Sequence, residues 1–108
     1  MYKYKAYVES IYDGDTITCE VDLGFKITVK KKIRLYGINT PEVRGEEKTM
    51  GKKVRDYLRS LILHKEIILE TVKDKTGKYG RYLATVHYNG MNVNNHLLEL
   101  GYAEEYMV

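Results

Sequence analysis

Lys32-Ile33-Arg34-Leu35-Tyr36-Gly37-Ile38-Asn39-Thr40-Pro41-Glu42 is the stretch from which the fold can be read. Ile33 and Leu35 alternate with Arg34, so it opens as a strand with its apolar residues on one face and its arginine on the other. It stops at Pro41, the only proline in the chain. A residue before proline is pushed into extended backbone, which makes Thr40 non-helical and leaves its carbonyl available. Around that stop stand a guanidinium (Arg34), an amide oxygen (Asn39), a hydroxyl (Thr40) and a carboxylate (Glu42). Asp13-Gly14-Asp15-Thr16 offers further carboxylates, and Lys78-Tyr79-Gly80-Arg81 offers a second arginine.

On the N-terminal side, residues 4 to 12 alternate apolar and polar, with Tyr4, Ala6 and Val8 set against Lys3, Lys5 and Glu9. This is a strand with one buried face, and Asp13-Gly14 is a turn signal after it. Thr16 to Val21 reads as a second strand, Asp22-Leu23-Gly24 as a turn, and Phe25 to Tyr36 as a third, longer strand rich in β-branched residues. On the C-terminal side, Val43 to Lys53 is a lysine-rich connection in which Gly45 and Gly51 permit bending. Val54, Tyr57, Leu58, Leu61 and Ile62 recur at helical spacing, giving an amphipathic helix over about residues 49 to 63. Glu66 to Val72 is a fourth strand, Lys73 to Gly80 a charged loop, and Tyr82 to Tyr88 a fifth strand ended by Asn89-Gly90. A short helix from about Asn92 carries Val93, Leu97 and Leu98, with Gly101 fitting its C-terminal cap. The expected fold is α+β and mainly β: a five-stranded OB-fold barrel with a helix between strands three and four and a short C-terminal helix.

With 108 residues and no linker or repeat, one domain over residues 1–108 is expected. A hydrophobic fraction of 44% and a charged fraction of 31% exclude a disordered chain. No apolar run approaches the ~18–20 residues that cross a bilayer, so no membrane association is expected. The first residues lack an apolar core, so no signal peptide is expected, which fits either a cytoplasmic or a mature secreted protein. Cys19 is the only cysteine, which excludes an intrachain disulfide. The net charge of +3 favours approach of a polyanion without specifying one.

Asp13 and Asp15 support two readings. Aspartate is ordinary turn chemistry, and Ile17 at the fifth loop position excludes an EF-hand. Alternatively, Asp15 with Asn39 and the Thr40 carbonyl forms a set of hard oxygen donors suited to Ca²⁺ or Mg²⁺. Zinc prefers nitrogen and sulfur, and His64, His87 and His96 are scattered. Arg34 and Arg81 acquire meaning beside such a cation. Phosphoryl transfer places negative charge on equatorial oxygens, which guanidinium forks match. Glu42 could then position or deprotonate water. Tyr79 and Tyr106 are candidates for stacking on bases, while Lys30-Lys31-Lys32 and Lys52-Lys53 read as solvated faces.

Asp13-Gly14-Asp15-Thr16, Arg34 through Thr40-Pro41-Glu42, and Lys78-Tyr79-Gly80-Arg81 together resemble the signature blocks of the staphylococcal nuclease (thermonuclease) family. Their order and spacing are similar, and the resemblance covers nearly the whole chain. It implies an OB-fold and Ca²⁺-dependent hydrolysis of DNA and RNA, single-stranded or denatured by preference, leaving 3′-phosphate ends. It also implies that Asp15 and the Thr40 carbonyl hold metal, Glu42 acts on water, and Arg34 and Arg81 stabilise the transition state. Lys78 and Tyr79 would meet the substrate's terminal phosphate. Asn39 departs from the family's second metal aspartate, which implies weaker metal binding, and the loop after Glu42 is short, so Glu46 or Glu47 could share the base role. A non-catalytic binding module of the same fold is the alternative, and the retained Arg34, Arg81, Glu42 and Asp15 speak for the enzyme. A monomer is expected.

Overall fold

The computed structural model describes residues 2–76 and 81–106. Strand β1 (Tyr2–Asp13) starts with Ala6 and Val8 facing inward. An irregularity between Val8 and Ser10 then shifts its register against β2 (Thr16–Asp22). Because side chains alternate with period two, one extra residue exchanges the faces. Ile11 is therefore buried, whereas Ser10 and Tyr12 are exposed. A second irregularity, between Ile11 and Asp13, leads into the turn, where Asp13 is buried too.

Strand β3 (Thr28–Leu35) pairs antiparallel with β2. It starts three residues later than expected, because Gly24, Phe25 and Lys26 all have left-handed backbone (φ 82°, 54° and 61°). They form a tight tip held by Leu23 N–H to Ile27 carbonyl and Ile27 N–H to Gly24 carbonyl, both 2.9 Å. Strand β4 (Glu66–Thr76) runs antiparallel beside β1 and continues past Val72, through residues expected to loop, because Thr76 pairs with Tyr82. Strand β5 (Tyr82–Tyr88) pairs antiparallel with β4 and parallel with β3, matching Ile33 to Tyr82 and Leu35 to Ala84. That parallel contact closes a five-stranded barrel in the order β1-β2-β3-β5-β4, the OB-fold arrangement. Asn89 and Gly90 turn the chain after β5 with φ 50° and 77°, as their dipeptide signals.

Helix α1 (Lys48–Ile62) lies between β3 and β4 in sequence and buries Val54, Leu58 and Ile62 completely. Gly51 belongs to this helix and does not bend the connection as expected. A Cβ there would collide with the Glu42 carbonyl, so the glycine lets the helix lie directly against the segment after Pro41. Helix α2 (Val93–Glu99) is capped by Asn92, whose side chain accepts the Asn95 N–H at 3.0 Å, and Gly101 follows it at φ 75°. Its Val93 and Leu97 join Val8, Ile17, Leu35, Leu69 and Val86 in one core. Buried Asn94 ties α2 to the barrel: its amide donates to the carbonyls of Tyr36 (2.9 Å) and Ala84 (3.2 Å), and its oxygen accepts the Val86 N–H (3.0 Å). Beyond α2, Glu104–Glu105 pairs with Ile38–Asn39, returning the chain to the end of β3. Among the described residues no helix is long and apolar enough to cross a membrane.

Candidate active site

The end of β3, the start of β2 and the residue before β5 meet because the barrel closes there. Thr16 pairs with Arg34 across β2 and β3, and Ile33 pairs with Tyr82, the residue after Arg81. The Leu35 N–H donates to the Asp15 carbonyl at 2.8 Å, fixing the turn against the end of β3. The β1–β2 turn needs Gly14 for a reason other than a positive φ. A Cβ there would come within 2.6 Å of Val54 and 2.8 Å of the Thr40 hydroxyl. Gly14 thereby admits the Thr40 segment and α1 to the back of the site.

Asp15 is the hub. Its Oδ2 accepts the Thr40 N–H at 3.0 Å and lies 3.5 Å from Arg34 Nη2. Its Oδ1 accepts the Thr16 hydroxyl at 3.1 Å, and that hydroxyl oxygen in turn accepts Arg81 Nη1 at 3.2 Å. Arg34 is held from behind: Nη1 donates to the carbonyls of Leu35 (3.1 Å) and Ile38 (2.9 Å), and Nη2 to Asn39 Oδ1 (3.2 Å). Such a fork, braced by carbonyls, is preorganised. The Tyr106 ring lies 5.3 Å from the Arg34 guanidinium, brought there by the hydrogen bond from its N–H to the Gly37 carbonyl.

Asp13, Asp15, Thr16 and Thr40 are all nearly closed to solvent. Burial raises the Asp13 carboxyl above the usual carboxylate range, and the neighbouring Asp15 raises it further. The Thr40 hydroxyl is buried without a hydrogen-bond partner among the described residues. Two buried carboxyl groups, an unsatisfied hydroxyl and the Asn39 amide oxygen, linked to Asp15 through Arg34 Nη2, form an oxygen-only donor set. A hard divalent cation would relieve it, so the residues present fit Ca²⁺. Among the described residues no group of three or more His, Cys, Asp or Glu is placed to hold a metal ion by itself. Any such cation would therefore draw on amide and backbone oxygens as well as carboxylates.

Arg34, Arg81, Asp15, Asn39 and Thr40 thus come together, and Tyr106 stands against one of them. For Glu42, no side-chain contact to Asp15 or Arg34 is described. It is exposed, and its described hydrogen bond is from its backbone N–H to Glu47 Oε1 at 3.3 Å. Glu47 itself lines a cleft with Asn39, Thr40 and Tyr102. Lys78 and Tyr79 lie outside the described residues. The relay through Thr16, the bracing of Asp15 by Asp13 (Asp15 N–H to Asp13 Oδ1, 3.1 Å) and the latch at Asn94 were not singled out from sequence. Thr16 carried a usable signal, since it directly follows Asp15 in the Asp13-Gly14-Asp15-Thr16 block.

Comparison with known proteins agrees with this geometry. The family described as staphylococcal nuclease homologue matches residues 32–108. An uncharacterized protein of Methanocaldococcus jannaschii is 30% identical over 96% of this chain. An endonuclease of Bacillus subtilis is 30% identical over 98%, and a thermonuclease of Staphylococcus hyicus 28% over 86%. The chain spans 60%, 9% and 54% of the lengths of those three proteins, respectively. The barrel, the meeting of Arg34 and Arg81 at Asp15 and these matches lead to one conclusion: the chain belongs to the staphylococcal nuclease family.

Proposed function

We propose that this domain hydrolyses phosphodiester bonds of DNA and RNA, with weak sequence preference and with Ca²⁺ as cofactor. The observation that carries the proposal is that two guanidinium groups reach one buried carboxylate by separate routes. Arg34 comes from β3 directly, and Arg81 comes from ahead of β5 through the Thr16 hydroxyl. A phosphate entering there meets two preorganised forks, which hold the developing charge on its equatorial oxygens. Asp15, Asn39 and the Thr40 carbonyl would hold Ca²⁺, which when bound supplies electrophilic stabilisation of the phosphate. Glu42 swings in to orient and deprotonate the attacking water, Lys78 and Tyr79 meet the terminal phosphate, and Tyr106 stacks on a base. Attack at the 5′ side of the diester leaves 3′-phosphate ends, and an unpaired strand, whose bases are open to stacking, is the preferred substrate. The test is incubation with denatured DNA in Ca²⁺ or in EDTA, with end-group analysis of products. Cleavage in Ca²⁺ alone, giving 3′-phosphates, supports the proposal; an intact substrate in both contradicts it. A non-catalytic nucleic-acid-binding module is the second reading, favoured by the solvent exposure of Glu42, and the same assay separates the two.

A further inference from the structure

The barrel has an open mouth around the corner from the phosphate site. It forms a cavity of ≈ 440 Å³, with Tyr2 and Tyr4 of β1, Val29 and Lys31 of β3, Leu69 of β4 and Tyr82 of β5 in its wall. Lys31 is out of place there by parity. Val29, Ile33 and Leu35, on the same face of β3, turn toward the core, and Lys31 turns with them. Among the described residues its amine makes no ion pair; it lies 5.3 Å from the centre of the Tyr82 ring. Tyr2 and Tyr4 stand 6.5 Å apart on the opposite wall, and Tyr82 is 41% exposed. A wall of aromatic and aliphatic groups with one inward cation accommodates a flat, apolar ring attached to an anion. The mouth also adjoins the phosphate site through the chain itself. Tyr82, the first residue of β5, follows Arg81 directly, one peptide (~3.8 Å between Cα atoms) away.

We infer that the barrel mouth bounded by Lys31 and Tyr82 is a nucleobase subsite. It takes one base of a single strand whose phosphate, a short way along, sits between Arg34 and Arg81. The inference rests on the proposed nuclease reading and adds to it a second place where the strand is gripped. Charge favours this occupant over an apolar protein segment, because Lys31 would be left without a counter-ion under an apolar lid, whereas a strand brings its own phosphates. Continuity with the arginine pair points the same way.

The experiment uses end-labelled single-stranded DNA 12-mers, each with one abasic nucleotide at a different position, cleaved by the whole chain in Ca²⁺. A base held in the mouth contributes to positioning, so its removal lowers cleavage about tenfold at one fixed offset from the abasic position. In Tyr82→Ser, and independently in Lys31→Ser, that depression shrinks to within about twofold of neighbouring bonds. Two variants on different strands guard against a folding defect in either. If no offset is depressed, or every depressed offset persists in both variants, the mouth holds no base and the inference fails while the nuclease reading stands. Offset-free cleavage together with displacement of a mouth-bound apolar dye by a peptide reassigns the mouth to a protein partner. Absence of any cleavage by the unaltered chain overturns the nuclease reading and the inference with it.

Discussion

The Thr40 N–H donates to Asp15 Oδ2 at 3.0 Å, joining two residues 25 positions apart. That bond seats the segment before Pro41 against the β1–β2 turn, and it places Asn39 at the edge of the oxygen cluster. Asn39 offers an amide where a carboxylate would contribute charge, and Ca²⁺ affinity rises with the number of charged ligands. Asn39→Asp is therefore expected to tighten Ca²⁺ binding about tenfold, read by calorimetry. Unchanged or weaker binding would remove Asn39 from the ligand set.

Thr16 joins Asp15 to Arg81 through a single oxygen. Thr16→Val removes it without changing side-chain shape. The expected loss of stability is about 1 kcal/mol for the hydrogen bonds, and kcat is expected to fall further than KM rises, because Arg81 loses its aim. Thr16→Ser restores both. An intact Val variant beside a defective Ser variant would mean that the methyl, and not the hydroxyl, matters.

Gly14 and Gly51 are both required for space, but their surroundings differ. A Cβ at Gly14 would press on the side chains of Val54 and Thr40, which can shift. At Gly51 it would meet the backbone of Pro41 and Glu42, which cannot do so without moving the site. Overpacking of this kind costs about 1–3 kcal/mol, so Gly14→Ala is expected in that range and Gly51→Ala at its upper end or beyond, read by urea denaturation. The reverse order would contradict the packing of α1 described above.

Glu70 accepts a hydrogen bond from His87 Nε2 at 2.9 Å, and this contact is the main cause holding its carboxyl below its ordinary value of 4.5. A depressed folded pKa means that the unfolded chain binds the proton more readily, so this contribution is present above about pH 4.5 and is lost as pH falls through the folded value. Glu70→Gln is expected to flatten the acid limb of a plot of stability against pH. A superimposable acid limb would show that the pair contributes nothing.

The barrel was legible because its signals are local. Alternation in β1 to β3, helical spacing through Val54, Leu58 and Ile62, and the Asn89-Gly90 turn each occupy a few residues. What escaped depended on tertiary contact. The two irregularities of β1 ahead of buried Asp13 are set by pairing with β2, and the need for glycine at position 51 arises from a carbonyl nine residues earlier in the chain. The convergence of Arg34, Asn39, Thr40 and Arg81 on Asp15 could be expected from the three blocks. The hydroxyl that joins Arg81 to it, and the exposure of Glu42, follow from side-chain geometry that spacing does not encode.

The central claim, that Arg34 and Arg81 act on one phosphate beside Asp15, is tested most directly by initial rates of denatured-DNA cleavage in Ca²⁺ for Arg34→Lys and Arg81→Lys. Lysine keeps the charge and removes the fork. Each variant, folded by circular dichroism, is expected to lose ~10²–10³ in kcat. Full turnover in either would contradict the account.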